Sequence, residues 1–137
     1  MRRGTITTLF AFGLTASVLA AACSTGGTTQ TIELVSPAKA AGVIDDNPGG
    51  LVILDIRTTE EFNEAHLPDA IMVDYYAADF ADQLDRLDKD VPYVLYCRTG
   101  NRTSDAVKTM KKLGFVEVYE IDGGIADWYG QGYPVER

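Results

Sequence analysis

Tyr93-Val94-Leu95-Tyr96, followed at once by Cys97-Arg98-Thr99-Gly100-Asn101-Arg102, joins an unbroken apolar run to a polar loop containing a glycine. Such a run is the pattern of a strand covered on both faces. Downstream, Ala106, Val107, Met110 and Leu113 recur at helical spacing, and Gly114 supplies a C-terminal stop. Strand, loop and helix in this order predict one unit of a parallel α/β sheet. Cys97 then opens the loop at the carboxyl end of the strand, where open α/β sheets bind ligands.

The alternation continues on both sides. Ile32 to Val35 reads as a short strand, and Ser36-Pro37 as an N-cap followed by a helix-compatible proline, with the helix ending by Asn47-Pro48-Gly49-Gly50. Leu51-Val52-Ile53-Leu54 is a second buried-strand run that delivers Asp55 and Arg57 to its C-terminal end. Thr58-Thr59-Glu60-Glu61 has capping-box spacing and starts a short helix that Pro68-Asp69 stops. Ile71 to Tyr75 is a strand candidate, and Phe80, Leu84 and Leu87 mark an amphipathic helix whose aspartates face solvent. Val116 to Ile121 is the last strand, and Asp122-Gly123-Gly124 opens a tail containing Trp128, Tyr133 and Pro134. The expected fold class is α/β, a central mostly parallel sheet flanked by helices, over residues 32–137.

With 137 residues the chain has room for one domain with a real core. Its 12 Lys and Arg against 20 Asp and Glu give a formal charge of -8, which argues against nucleic acid as a partner. An anionic substrate therefore needs a locally positive site. One histidine and two cysteines cannot build a four-ligand zinc site, and no strand-linked GxGxxG or GxxxxGKS/T loop is present. No metal and no cofactor are expected.

The N-terminus has a different character. Arg2 and Arg3 precede an apolar stretch from Leu9 to Leu19 that ends in Ala20-Ala21-Ala22, the profile of a signal peptide over residues 1–22. The stretch falls short of the about 20 apolar residues of a membrane span. Leu19-Ala20-Ala21-Ala22-Cys23-Ser24 resembles the lipobox of bacterial lipoproteins. That resemblance implies lipidation of Cys23 and an exported, membrane-anchored lipoprotein facing the periplasm or cell exterior; the alternative is a plain secretory peptide cut near Ala22. Residues 23–31, rich in Gly, Thr and Ser, then read as a flexible tether. With Cys23 acylated, Cys97 has no disulfide partner, and an unpaired thiol outside the cytoplasm is a liability unless its reactivity is used.

The surroundings of Cys97 favour a thiolate. Its loop leads into a helix N-terminus with free N–H groups and a positive dipole end. Arg98 and Arg102 add two cations, and Gly100 permits a backbone turn other residues resist. Lowering a thiol from about 8.5 to about 6.5 takes roughly 2.7 kcal/mol of thiolate stabilisation, within reach of several amide donors and an arginine.

Cys97-Arg98-Thr99-Gly100-Asn101-Arg102-Thr103 resembles the active-site loop of the rhodanese family. Leu54-Asp55-Ile56-Arg57, Glu61-Phe62 and His66-Leu67-Pro68-Asp69-Ala70 resemble its upstream LDVR, E-F/Y and HIPGA pattern, with Asp69 where Gly is more frequent. Asp122-Gly123-Gly124, Trp128 and Gly132-Tyr133-Pro134-Val135 resemble its C-terminal GG, W and GYPV pattern. The resemblance implies a rhodanese-like fold and a sulfurtransferase that moves sulfane sulfur from thiosulfate or a similar small anion, through a Cys97 persulfide, to a thiol or cyanide-like acceptor. It implies backbone anion binding by Arg98, Thr99, Gly100, Asn101 and Arg102, with Arg98 or Arg102 as the charge contact. Asp55 and Arg57 could shape the rim or form a structural ion pair. His66 could complete a Cys-His pair, but the resemblance implies that it braces a loop. Trp128 and Tyr133 could line an entrance, but core packing is the stronger reading.

Two other readings retain Cys97. Cysteine phosphatases and arsenate reductase-like enzymes also use a Cys-loop-Arg cradle, usually with five residues between Cys and Arg, whereas Arg102 is one position nearer and Thr103 takes the fifth-spaced place. The second is a membrane-tethered persulfide carrier or redox-sensing module without turnover. No feature of the sequence names a protein partner.

Overall fold

The computed structural model describes residues 29–46 and 48–137. The signal segment, Cys23 and most of the expected tether lie outside the described residues. Five strands, β1 (Thr31–Val35), β2 (Val52–Asp55), β3 (Ile71–Met72), β4 (Pro92–Tyr96) and β5 (Glu117–Ile121), form one sheet. The helices are α1 (Pro37–Asp46), α2 (Thr59–Glu64), α3 (Phe80–Asp85), α4 (Asn101–Leu113) and α5 (Gly124–Gly130). The strand order is β1-β5-β4-β2-β3, and every pairing is parallel. This is the expected α/β architecture.

β4 is central and buried along its whole length, which is why its sequence is apolar without alternation. Its side chains still alternate between two cores. Tyr93 and Leu95 join Leu84 of α3 and Ala106 and Met110 of α4, whereas Val94 and Tyr96 join Ala40 of α1 and Ile125 and Trp128 of α5. Cys97 continues the first series and belongs to the α3/α4 face. Trp128 is buried, donates from Nε1 to the Pro134 carbonyl at 2.9 Å, and lies 4.7 Å from the Tyr133 ring.

Three local departures have identifiable causes. The Gln30 side-chain amide donates to the carbonyls of Lys111 and Phe115 at 2.9 and 3.0 Å, and Thr31 already pairs in β1, so order begins inside the stretch expected as tether. The strand expected over Ile71 to Tyr75 stops at Met72. Val73 still donates to the Asp55 carbonyl, but the Asp74 carboxylate then accepts from the Tyr76 N–H at 2.8 Å, and that local turn competes with the ladder. The expected tail after Gly123-Gly124 contains α5. Glycines at both of its ends hide a helix that tertiary contacts hold in place.

Candidate active site

Cys97 follows directly on β4 and is 1% exposed. The loop closes at Gly100, whose φ of 100° places the N-terminus of α4 over the sulfur. A residue with a side chain would be strained there. The Gly100 N–H donates to Cys97 Sγ at 3.1 Å. Burial pushes the thiol pKa up, but the N–H groups of Thr103, Gly100, Thr99 and Arg102 outweigh it and hold the thiol below its ordinary value. The sulfur thus sits in a ring of amides that favours its anion, and the same donors can hold a second sulfur or an attached anionic group.

The two arginines of the loop are placed differently. Arg102 is held by the Glu61 carboxylate, its Nη1 and Nη2 lying 2.7 and 2.8 Å from Oε2 and Oε1, and its guanidinium lies 5.7 Å from the Tyr76 ring centroid. Its charge is therefore largely answered within the fold. Arg98 lines an open groove of about 290 Å³ together with Arg57, Glu61, Tyr129 and Arg137. Of the two, only Arg98 lines this groove. Asn101 is the first residue of α4, and its carbonyl accepts from the Ser104 hydroxyl at 2.9 Å.

The sequence shows Glu61 as a cap and as part of the family's E-F/Y pattern, but not as a partner of Arg102. Its carboxylate accepts from the Thr58 N–H at 3.1 Å while the Thr58 hydroxyl accepts from the Glu61 N–H at 3.3 Å, completing the capping box of α2. The same carboxylate reaches Arg102, so one side chain links α2 to the first turn of α4. Hydrogen bonding to Arg102 pulls its pKa down to about 2.

Asp55 and Arg57 form a buried, two-pronged ion pair. Arg57 Nε lies 3.0 Å from both carboxylate oxygens and Nη2 lies 2.7 Å from Oδ2, while Nη2 also donates to the Ala65 carbonyl at 2.6 Å. The Tyr96 phenol oxygen accepts from the Leu67 N–H at 3.0 Å, and the Arg57 guanidinium lies 5.6 Å from the Tyr96 ring centroid. Tyr96 immediately precedes Cys97, so this network fixes the floor of the site. His66 is engaged elsewhere. Its ring stacks on Phe62 at 3.9 Å, its Nδ1 lies 3.0 Å from the Phe62 carbonyl, and its backbone pairs with Glu136 at 2.9 and 2.8 Å. It ties the C-terminal segment to α2.

The outer wall of the loop is α5. The N–H groups of Ile125 and Ala126 donate to the carbonyls of Cys97 and Arg98 at 2.9 and 3.1 Å. A Cβ at Gly124 would lie 2.5 Å from the Cys97 carbonyl oxygen and 2.7 Å from that of Arg98, so only glycine lets the two segments meet. Beneath the loop, the buried Thr103 hydroxyl lies 2.8 Å from the Gly100 carbonyl, 2.5 Å from Glu120 Oε1 and 3.9 Å from Cys97 Sγ. Thr103 closes the loop pattern in the sequence without a role of its own there, and Glu120 does not stand out by sequence pattern.

The parallel α/β sheet thus presents a cysteine at the end of its central strand, inside an amide cradle at a helix N-terminus. The comparisons name the family. The family described as the rhodanese-like domain matches residues 36–131. The thiosulfate sulfurtransferase GlpE of Pseudomonas savastanoi pv. phaseolicola is 34% identical over 87 residues, 64% of this chain and 79% of the relative. The putative sulfurtransferase YtwF of Bacillus subtilis is 33% identical over 84 residues, 61% of this chain and 79% of the relative. Among solved structures, a rhodanese-related protein from Thermoplasma volcanium is similar with a TM-score of 0.67 at 25% identity, covering 76% of this chain and 97% of that one. The chain belongs to the rhodanese-like domain family, and with these relatives to its sulfurtransferases.

Proposed function

We propose that this protein takes sulfane sulfur from thiosulfate or a similar anionic donor, holds it as a persulfide on Cys97, and gives it to a thiol or cyanide-like acceptor. The observation that carries the reading is the Cys97 sulfur beneath the N-terminus of α4, with the Gly100 N–H at 3.1 Å and three further amides lowering its pKa. In the first step the Cys97 thiolate attacks the outer sulfur of thiosulfate. A new S–S bond forms, the donor's S–S bond breaks, and sulfite leaves with the bonding pair. In the second step the acceptor attacks the terminal sulfur, and Cys97 departs as the thiolate it began as. The cradle suits both ends of the cycle, because thiolate and persulfide are each anions. Arg98, at the groove, draws the donor in.

The name of the thiosulfate sulfurtransferase relative supports thiosulfate as the donor. Export and lipid anchoring at Cys23 are part of the proposal and rest on the sequence of residues 1–23. A steady-state thiosulfate-to-cyanide assay tests the activity: turnover is expected for the natural chain and none for Cys97→Ala. Hydrolysis of an aryl phosphate by the same preparation, without sulfur transfer, would replace this reading with the phosphatase one. Fatty-acid labelling lost in Cys23→Ala is the result expected of the anchor.

A further inference from the structure

Glu120 is an acid in an unexpected place. It lies on β5, 9% exposed, beside Leu95 of β4 and Leu34 of β1 in the sheet register, and beneath the first turn of α4. Among the described residues no Lys or Arg forms an ion pair with it. A buried carboxylate without a cation is costly, and such a group retains its proton instead.

Hydrogen-bond counting at Thr103 points the same way. Its hydroxyl has one hydrogen, yet Oγ1 is 2.8 Å from the Gly100 carbonyl, which can only accept, and 2.5 Å from Glu120 Oε1. Both contacts are hydrogen bonds only if Thr103 donates to Gly100 and Glu120 donates to Thr103. The neutral acid satisfies every group, whereas the carboxylate leaves one contact unmade. On the far side of the same hydroxyl, 3.9 Å away, is Cys97 Sγ.

Resting on the reading of Cys97 as the working thiol, we infer that Glu120 is a positioning residue that, across the Thr103 hydroxyl, shares one proton with Cys97. While Glu120 carries that proton, the sulfur is free to be the thiolate in its amide cradle. From the thiol form, in which Thr103 donates to the Glu120 carboxylate, the S–H proton passes to Thr103 Oγ1 as the Thr103 hydrogen passes to Glu120 Oε1, and the hydroxyl then turns to the Gly100 carbonyl. One proton is thereby moved, and the net charge of the pair is unchanged. Loss of the second proton would put two negative charges in one buried site and is resisted. Burial, the first cause acting on Glu120, raises its pKa, a Thr103 hydroxyl turned to donate to the carboxylate lowers it, and the Asp122 charge just beyond β5 raises it. On the sulfur side the acting groups are the amides of Thr103, Gly100, Thr99 and Arg102, and the Arg102 cation, already answered by Glu61.

The test is the pH dependence of thiolate absorbance and of iodoacetamide alkylation in the natural chain, Glu120→Gln, Thr103→Val and the double variant. Glutamine is permanently neutral and can still donate to Thr103. Because the shared proton rests part of the time on sulfur beside an ionised Glu120, Glu120→Gln removes a charge that favours the thiol and is expected to lower its midpoint by about one pH unit and to speed alkylation about tenfold below that midpoint. The shift should shrink by more than half in the Thr103→Val background. An unchanged or raised midpoint in Glu120→Gln overturns the inference, because a merely structural hydrogen bond would be kept by glutamine. If that variant does not fold, carbon-13 NMR of the Glu120 carboxyl decides: its titration must move to lower pH in Cys97→Ser, and indifference to Cys97 overturns the coupling. None of these readouts uses a sulfur donor. A shifted thiol without persulfide formation keeps this inference and removes the sulfurtransferase reading, and the reverse result does the opposite.

Discussion

The Arg102 guanidinium grips the Glu61 carboxylate through two hydrogen bonds of 2.7 and 2.8 Å, across 41 residues of chain. The pair fastens the first turn of α4, and hence the roof of the Cys97 cradle, to the capped start of α2. With side chains 14% and 21% exposed it is shielded from solvent but not sealed. Glu61→Gln should cost about 2 kcal/mol, since it removes one charge of a mostly buried pair and weakens a cap. Denaturant unfolding at neutral pH measures it, and a cost near zero would show the pair to be incidental. The pH dependence has a definite sign. Because the folded-state pKa is depressed from 4.5 to about 2, the stabilisation is full above about 4.5 and is lost as pH falls toward and through about 2. The melting temperature of Glu61→Gln should therefore fall less steeply over that window than that of the natural chain.

Gly124 sets the distance between α5 and the loop. Gly124→Ala must displace the Cys97 and Arg98 carbonyls or the helix, and it also places alanine at a φ of 60°. A loss of about 2 kcal/mol or more is expected, with a raised thiol midpoint as the cradle opens. Gly130→Ala is the control, because its Cβ meets nothing within 4 Å, and it should be neutral or slightly stabilising. Equal effects at the two positions would contradict the close-approach explanation.

Asp69 has a φ of 60°, and the Ala70 N–H donates to the Leu67 carbonyl at 3.1 Å, with Pro68 in between. This is the pattern of a type II turn, whose third position favours glycine. Asp69→Gly is expected to stabilise by about 0.5 kcal/mol, the relieved strain being partly offset by the greater freedom of glycine when unfolded. Thermal melting checks it, with thiol reactivity unchanged.

His66→Ala separates bracing from catalysis. Loss of the ring stack on Phe62 and the contact with its carbonyl should cost about 1 kcal/mol, while the pH profile of sulfur transfer keeps its shape. Disappearance of a limb of that profile would make His66 a proton-transfer group after all.

The parts of the site that could be read from sequence are those encoded in short, contiguous patterns. Cys97 at a strand end, Gly100 before a helix and the capping box at Thr58 each depend on neighbours a few residues away. What could not be read depends on the sheet order. Glu61 meets Arg102 only because α2 and the first turn of α4 converge over the sheet, and Glu120 reaches Thr103 only because β5 lies beside β4. Arg98 and Arg102 look equivalent in the sequence, and the fold distinguishes them by supplying a carboxylate to one and a groove to the other. The helix α5 was hidden for a related reason: it is held by bonds to the Cys97 loop and by Ile125 and Trp128 packed in the core, contacts made across the fold.

Intact mass spectrometry of the rhodanese-like domain after brief exposure to thiosulfate tests the central claim most directly. The mass of one added sulfur should appear on the natural chain, be absent from Cys97→Ala, and vanish when cyanide is added as thiocyanate forms. An unmodified Cys97 with thiosulfate and every other sulfane donor tried, in a protein whose thiol still alkylates, would contradict sulfur transfer through this residue.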